Sequence, residues 1–180
     1  MIPTREECLS LMAQCRMLDN IKEHSLVVTK VALFLSEELN KKGQRIDMKL
    51  VEAGSLLHDI TKTECLVSKK DHAQTGFQFL AERGYARVGE VVAYHVNLPP
   101  GGDPSQVTEM EIVNYADKRV RHDEIVSLEE RYADLIARYG KDEKSIAFIR
   151  EMKEKTSEIE KKIFSILLVD PKILETLRAG

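Results

Sequence analysis

The chain has 180 residues, 43% hydrophobic and 32% charged, with 27 basic against 30 acidic side chains and a net charge of −3. That length supports one well-buried core without disulfide or metal staples. Nine glycines and five prolines are too few for a collagen-like or low-complexity chain, and the near-balanced charge excludes a protein that coats nucleic acid. Three cysteines without paired spacing, a start (MIPTREECLS) lacking an apolar stretch, and a longest C-terminal apolar run of only Ile166–Val169 predict a cytoplasmic chain with no membrane partner.

Residues 5–18 place Cys8, Leu11, Met12, Cys15 and Leu18 at helical spacing on one face. From Ile21 the same period runs through Val27, Val31, Phe34, Leu35 and Leu39, and stops at Asn40-Lys41-Lys42-Gly43. Asp47 is placed to cap a third helix that leads into His58-Asp59, and the small residues Ala53 and Gly54 predict a second helix passing close by. The pattern then reads as an irregular connection over 61–70, a helix from His72 to about Arg83 stopped by Gly84, and another from Ala86 to His95. Asn97 to Pro104, with Pro99-Pro100-Gly101-Gly102, is a loop that follows His95 and is positioned as a rim for a pocket. Helix resumes near Thr108, with Glu111 in capping-box spacing, and is expected to reach about His122. After Ser127 come an amphipathic helix to Tyr139 and a long charged helix from about Asp142 to Leu168. Its stripe of Ile146, Ile149, Met152, Ile159, Ile163 and Ile166 is buried, and the pairs Glu151–Lys155 and Glu158–Lys162 lie on a solvated face. With no strand alternation anywhere, the fold class is all-α.

The informative feature is where the histidines and two aspartates fall. His24 lies inside a helix, His58-Asp59 ends an apolar one, His72 opens a helix, His95 closes another, and Asp117 sits in Asn114-Tyr-Ala-Asp117-Lys118-Arg119. Such positions can converge in a helical bundle, as metal ligands do. Taken singly, each has a structural explanation, as a hydrogen-bonded core imidazole or as a salt-bridge partner of Lys118 or Arg121. Cys8 and Cys15 read as core residues, Cys65 as a loop thiol without an adjacent base, and His122 as exposed.

His24, then Leu56-Leu-His58-Asp59-Ile60-Thr61-Lys62, then Asn114-Tyr-Ala-Asp117-Lys118 resembles the H…HD…D signature of the HD superfamily of metal-dependent phosphohydrolases, over about residues 20–125. His72 in Asp71-His-Ala-Gln-Thr-Gly76 and His95 in Val92-Ala-Tyr-His95 resemble the dinuclear branch that splits symmetrical dinucleoside polyphosphates, while Thr61 stands where the family more often has glycine. The resemblance implies a helical metal-binding core, taken as 1–126; the C-terminal helical extension, 127–180, matches no named family and is expected to pack on that core or on a second copy as a homodimer. The resemblance further implies that His24, His58 and Asp117 hold a first divalent cation, and that Asp59 bridges to a second held by His72 and His95. Imidazole with carboxylate suits Fe, Mn, Co, Ni or Zn better than Ca or Mg. One or two such ions would supply a hydroxide for attack on phosphorus. The expected function is hydrolysis of a phosphoester or phosphoanhydride of a small nucleotide, with Asp59 and Lys62 catalytic and Lys62, Lys118 and Arg121 binding substrate. Arg119 is a further cation of the same segment. The alternatives are a catalytically silent signalling or binding module of the same fold, and a di-iron oxygenase.

Overall fold

The computed structural model describes residues 1–99 and 102–178. It opens with α1 (Arg5–Gln14), capped by a reciprocal Thr4–Glu7 box that satisfies two orphan backbone donors. α1 stops before the expected residue 18: Arg16 turns left-handed, and Leu18, 46% exposed, becomes the extended residue preceding α2 (Asp19–Lys41). α3 (Met48–Leu57) starts on Asp47, whose carboxylate accepts the Leu50 amide as anticipated.

Two expectations change next. Residues 61–70 are not irregular throughout, because Lys62–Ser68 forms α4, which buries Cys65 and ends with Lys69 in the left-handed region. Likewise, α7 (Glu109–Lys118) keeps its Thr108–Glu111 box but ends four residues before His122. The chain there turns into a two-residue hairpin, β1 (Val120–Arg121) and β2 (Glu124–Ile125), antiparallel with Val120 opposite Ile125 and Arg121 opposite Glu124. His122 at the tip has φ 56°, a conformation that halts a helix. Between these, α5 (His72–Ala81) and α6 (Ala86–Tyr94) fall where the periodicity puts them. In the Pro/Gly loop, Pro100 and Gly101 lie outside the described residues, and their flanks form no helix or strand.

α8 (Leu128–Tyr139) and α9 (Glu143–Leu167) begin on the Ser127 and Asp142 boxes, and a 3₁₀ helix (Pro171–Arg178) follows. The fold is all-α, the short hairpin aside, and among the described residues no helix is long and apolar enough to cross a membrane. α9 is not simply solvated on its charged side. Glu151–Lys155 pairs along the helix, but Lys162 leaves Glu158 and bonds Glu111 of α7 at 2.8 Å. Glu160 accepts from the Tyr115 hydroxyl at 2.5 Å and from Arg119 at 3.2 Å. Those polar clasps seat α9 on α7 beside the buried Ile149, Ile159 and Ile163.

The core is built around α2, α3, α6 and α7, and two glycines set its spacing. A Cβ at Gly54 would stand 2.6 Å from Val91 Cγ1, and one at Gly76 would stand 2.8 Å from Val92 Cγ1. α6 is therefore pressed onto both α3 and α5, which is the close approach that Ala53-Gly54 foretells. Gly54→Ala gains about 1 kcal/mol of helix propensity but forces about 1–3 kcal/mol of overpacking against a stiff β-branched neighbour. We expect a lower melting temperature for Gly54→Ala and a favourable coupling of about 0.5–3 kcal/mol with Val91→Ala in a double-mutant cycle; additive single effects would contradict this packing.

Candidate metal centre

His58 and His95 occupy equivalent places. Each is the C-cap of its helix, α3 or α6, and each donates Nδ1–H to the carbonyl three residues back, His58 to Ser55 at 2.7 Å and His95 to Val92 at 2.6 Å. The last carbonyls of a helix have no partner within it, so an imidazole at the cap satisfies one and is oriented in return. His24, in mid-α2, donates Nδ1–H to the His122 carbonyl at 2.7 Å, across the left-handed hairpin tip. With Nδ1–H committed to a carbonyl in all three rings, Nε2 is the nitrogen each would offer a metal on giving up any proton it carries.

These Nε2 atoms converge on two buried carboxylates that are divided in the same way. Asp117 gives Oδ2 to the Lys118 ammonium and turns Oδ1 to His24 Nε2 (2.9 Å) and His58 Nε2 (3.6 Å). Asp59 gives Oδ2 to Lys62 at 2.7 Å and turns Oδ1 to His72 Nε2 (3.3 Å) and His95 Nε2 (3.6 Å). The halves are joined by His58 Nε2, 3.5 Å from Asp59 Oδ2. His72 opens α5 behind the Asp71 cap, and its carbonyl accepts the Thr61 hydroxyl at 2.8 Å. Thr61 thereby ties the turn after His58-Asp59 to the helix that carries His72, a link glycine could not make.

All six expected ligands thus come together. Two overlapping triads, His24–His58–Asp59 and Asp59–His72–His95, each bring ligand atoms within 4.8 Å of one another. The fit to a cation rests on buried imidazole and carboxylate atoms that converge with too few partners among themselves. His58 Nε2 and Asp59 Oδ1 are buried without a hydrogen-bond partner among the described residues, and His72 Nε2 lies 3.1 Å from His95 Nε2. Orphaned buried acceptors cost about 1–3 kcal/mol each, and a divalent cation relieves several at once.

Burial by itself would raise both carboxyls. At Asp59 it is outweighed by the His58 and Lys62 charges and by the His72 and His95 imidazoles facing it, and at Asp117 by Lys118, His24 and His58, so both stay well below the usual carboxylate range. Burial pushes His95 down to about 4, whereas for His58 the opposing pull of Asp59 and Asp117 wins and raises its pKa. The cysteines stay out of this chemistry: burial lifts the Cys8 thiol to about 12 and also raises Cys15.

The expected substrate cations separate. Lys62, on Asp59, keeps over a third of its side chain exposed and lines two clefts, of about 350 and about 180 Å³, that open on Asp59. Lys118 is buried, bonded to Asp117 and to the His95 carbonyl at 3.3 Å, and lines the larger cleft. Arg121 does not join them. It pairs with Glu124 on the hairpin and lines a separate cleft of about 640 Å³ together with Lys30 and Arg178. Arg119 is likewise taken up, by Val126, Tyr115 and Glu160. Two contributions escaped sequence reasoning. The His122 carbonyl acts through the backbone and leaves no trace in residue type. Arg131, on α8, lines both clefts but lies outside every motif.

A model of the HD domain family matches residues 21–138. An uncharacterized protein of Methanocaldococcus jannaschii is 29% identical over 147 residues, 71% of this chain and 82% of that protein. The tRNA (cytidine(56)-2′-O)-methyltransferases of Picrophilus torridus and Thermoplasma volcanium are each 29% identical over 142 residues, 72% of this chain; the match spans only 40% of their own length. No solved structure matches significantly.

An imidazole must be neutral to bind a metal, so a cation entering this centre displaces the proton that the raised His58 pKa favours, while His95 is already neutral at pH 7. Mn²⁺ or Zn²⁺ titrated calorimetrically in buffers of different ionisation enthalpy is expected to release protons. Affinity should fall by up to about tenfold per pH unit on acidification below the His58 pKa. Binding that is indifferent to pH between 8 and 5.5 would exclude His58 as a ligand.

Proposed function

Because the chain belongs to the HD domain family, whose members are mostly metal-dependent phosphohydrolases, we propose that it hydrolyses a phosphoester or phosphoanhydride of a small nucleotide. The observation that carries this reading is the division of Asp59. Its two oxygens face different partners, one the exposed-edge Lys62 and His58, the other His72 and His95. His24, His58 and Asp117 would hold one divalent transition-metal ion and Asp59, His72 and His95 a second, and metal bound there would supply Lewis-acid polarisation of a phosphoryl oxygen and acidify a water.

The remaining work belongs to the chain's own side chains. Asp59, held well below the usual carboxylate range, stays ionised at neutral pH and serves as a ligand and positioning group, not as a proton store. Lys62 keeps its proton, since the Asp59 and Asp117 charges outweigh the burial that would lower its pKa, and its ammonium reaches the cleft where charge develops on the departing oxygen. Leu66 of α4 and Leu135 of α8 line both clefts and restrict water around the reacting group. No Ser/His/Asp or Cys/His arrangement is invoked, because water is the nucleophile. The presence of His72 and His95 supports the narrower substrate class, a dinucleoside polyphosphate.

Mn²⁺-loaded protein incubated with nucleoside mono-, di- and triphosphates, a dinucleoside tetraphosphate and tRNA is expected to split one of the small nucleotides and leave tRNA intact. Asp59→Asn should lower kcat by at least about 10³-fold with little change in melting temperature, as loss of a shared metal ligand does. Turnover retained in that variant at equal metal content, or silence of the metal-replete parent across the panel, would refute the proposal.

A further inference from the structure

The buried cations near the centre differ in what they hold. Lys118 and Lys62 neutralise Asp117 and Asp59, and Arg119 donates to Val126, Tyr115 and Glu160. Arg131 is different. It is 9% exposed, yet its Nε has no hydrogen-bond partner among the described residues, and Nη1 reaches Asp134 only at 3.4 Å. An unpaired guanidinium N–H in a dry setting is unfavourable unless something outside the chain accepts from it. Asp134 is also claimed by Arg138, so one carboxylate on α8 serves two guanidiniums. The larger cleft gathers Lys62, Lys70, Lys118 and Arg131 against Asp59 and Asp117, an excess of positive charge before any metal is counted.

We propose that Arg131 is the phosphate-receiving residue of this cleft, its under-paired guanidinium turning to take phosphoryl oxygens, and that the substrate is a phosphoanhydride and not a monoester. The inference rests on the phosphohydrolase reading. The attacked phosphoryl group lies against Asp59 and Lys62, and Arg131, reaching the same cleft from α8, holds the neighbouring phosphate. Guanidinium suits that task because its planar N–H edge matches phosphate oxygens. In the reaction, the water oxygen bonds to the attacked phosphorus and the P–O–P bridge breaks. The bridging oxygen departs with the phosphate held on Arg131, and a proton is released to solvent. A monophosphate would leave Arg131 as unpaired as it stands in the free chain.

The test is a ratio of affinities, measured calorimetrically on Mn²⁺-loaded protein at equal metal content with inorganic phosphate and with imidodiphosphate, whose P–N–P bridge resists hydrolysis. The parent should bind imidodiphosphate more tightly than phosphate by at least about tenfold. Arg131→Gln should lose about 10–100-fold for imidodiphosphate with less than about threefold change for phosphate, and Arg131→Lys should recover only part of the loss. Melting temperatures separate folding from binding, since a purely structural arginine would weaken both ligands together and leave the ratio unchanged. An unchanged ratio in both variants, or a parent that does not prefer imidodiphosphate, overturns the assignment. If nucleotides are hydrolysed while the ratio ignores Arg131, this inference alone fails. If imidodiphosphate binding depends on Arg131 while no nucleotide is hydrolysed, the anion site stands and the phosphohydrolase reading fails.

Discussion

Two carboxylates, Asp59 and Asp117, are buried on either side of His58 Nε2, at 3.5 and 3.6 Å from it, with their charges intact, and much of the molecule is arranged to make that tolerable. Removing an ionised carboxylate from water carries a penalty of several kcal/mol even after relaxation. The chain answers by the same division twice: one oxygen of each carboxylate meets a lysine ammonium, and the other meets two imidazole nitrogens. The lysines offset both charges, and of the two imidazole-facing oxygens Asp117 Oδ1 has His24 Nε2 at 2.9 Å while Asp59 Oδ1 is left without a hydrogen-bond partner among the described residues. An arrangement of imidazole nitrogens around carboxylates, neutralised on one side and short of a partner on the other, suits a cation with open coordination positions.

Orientation is then a matter of backbone carbonyls. Three imidazoles are turned by Nδ1–H bonds to main-chain oxygens, two of which lie in the last turns of the imidazoles' own helices. The arrangement links helix termination to ligand aim, so the place where α3 and α6 stop is also the place where a ligand must point. Asn114 adds to this by donating to the His95 carbonyl at 2.9 Å, fixing the end of α6 to α7, and Lys118 reaches the same oxygen. Close packing at Gly54 and Gly76 brings α6 near enough to α3 and α5 for the His95 ring to stand 5.1 Å from both His58 and His72.

The cleft is assembled from two parts of the chain. Ligands come from α2 through α7, whereas the outer wall comes from α4 and from α8, which lies beyond the expected limit of the metal-binding core at residue 126. The family match likewise continues through α8 to residue 138. The six candidate ligands lie within the matched stretch, and cleft-lining residues also come from its far end, where Arg131 and Arg138 flank Asp134.

Periodicity and caps were enough to place most helices, because an apolar stripe repeating every three to four residues and a Thr, Ser or Asp cap act within one turn of the chain. The six candidate positions could be picked out for a similar reason: His and Asp carry a chemical identity that survives without coordinates, and the chain brings them together. What local pattern left undecided was settled by contacts between distant residues. α4 forms although the sequence there reads as a connection, and Lys162 chooses Glu111 over Glu158 because α7 lies beside it. Arg121 turns away from the centre because α7 gives way to a hairpin, and the carbonyl of that hairpin's tip holds His24. Residue types and their spacing determined which groups could bind a metal; only the packing of α8 over the centre decided which cation is left with an unpaired N–H in the cleft, since that depends on what every other charge has already been matched with.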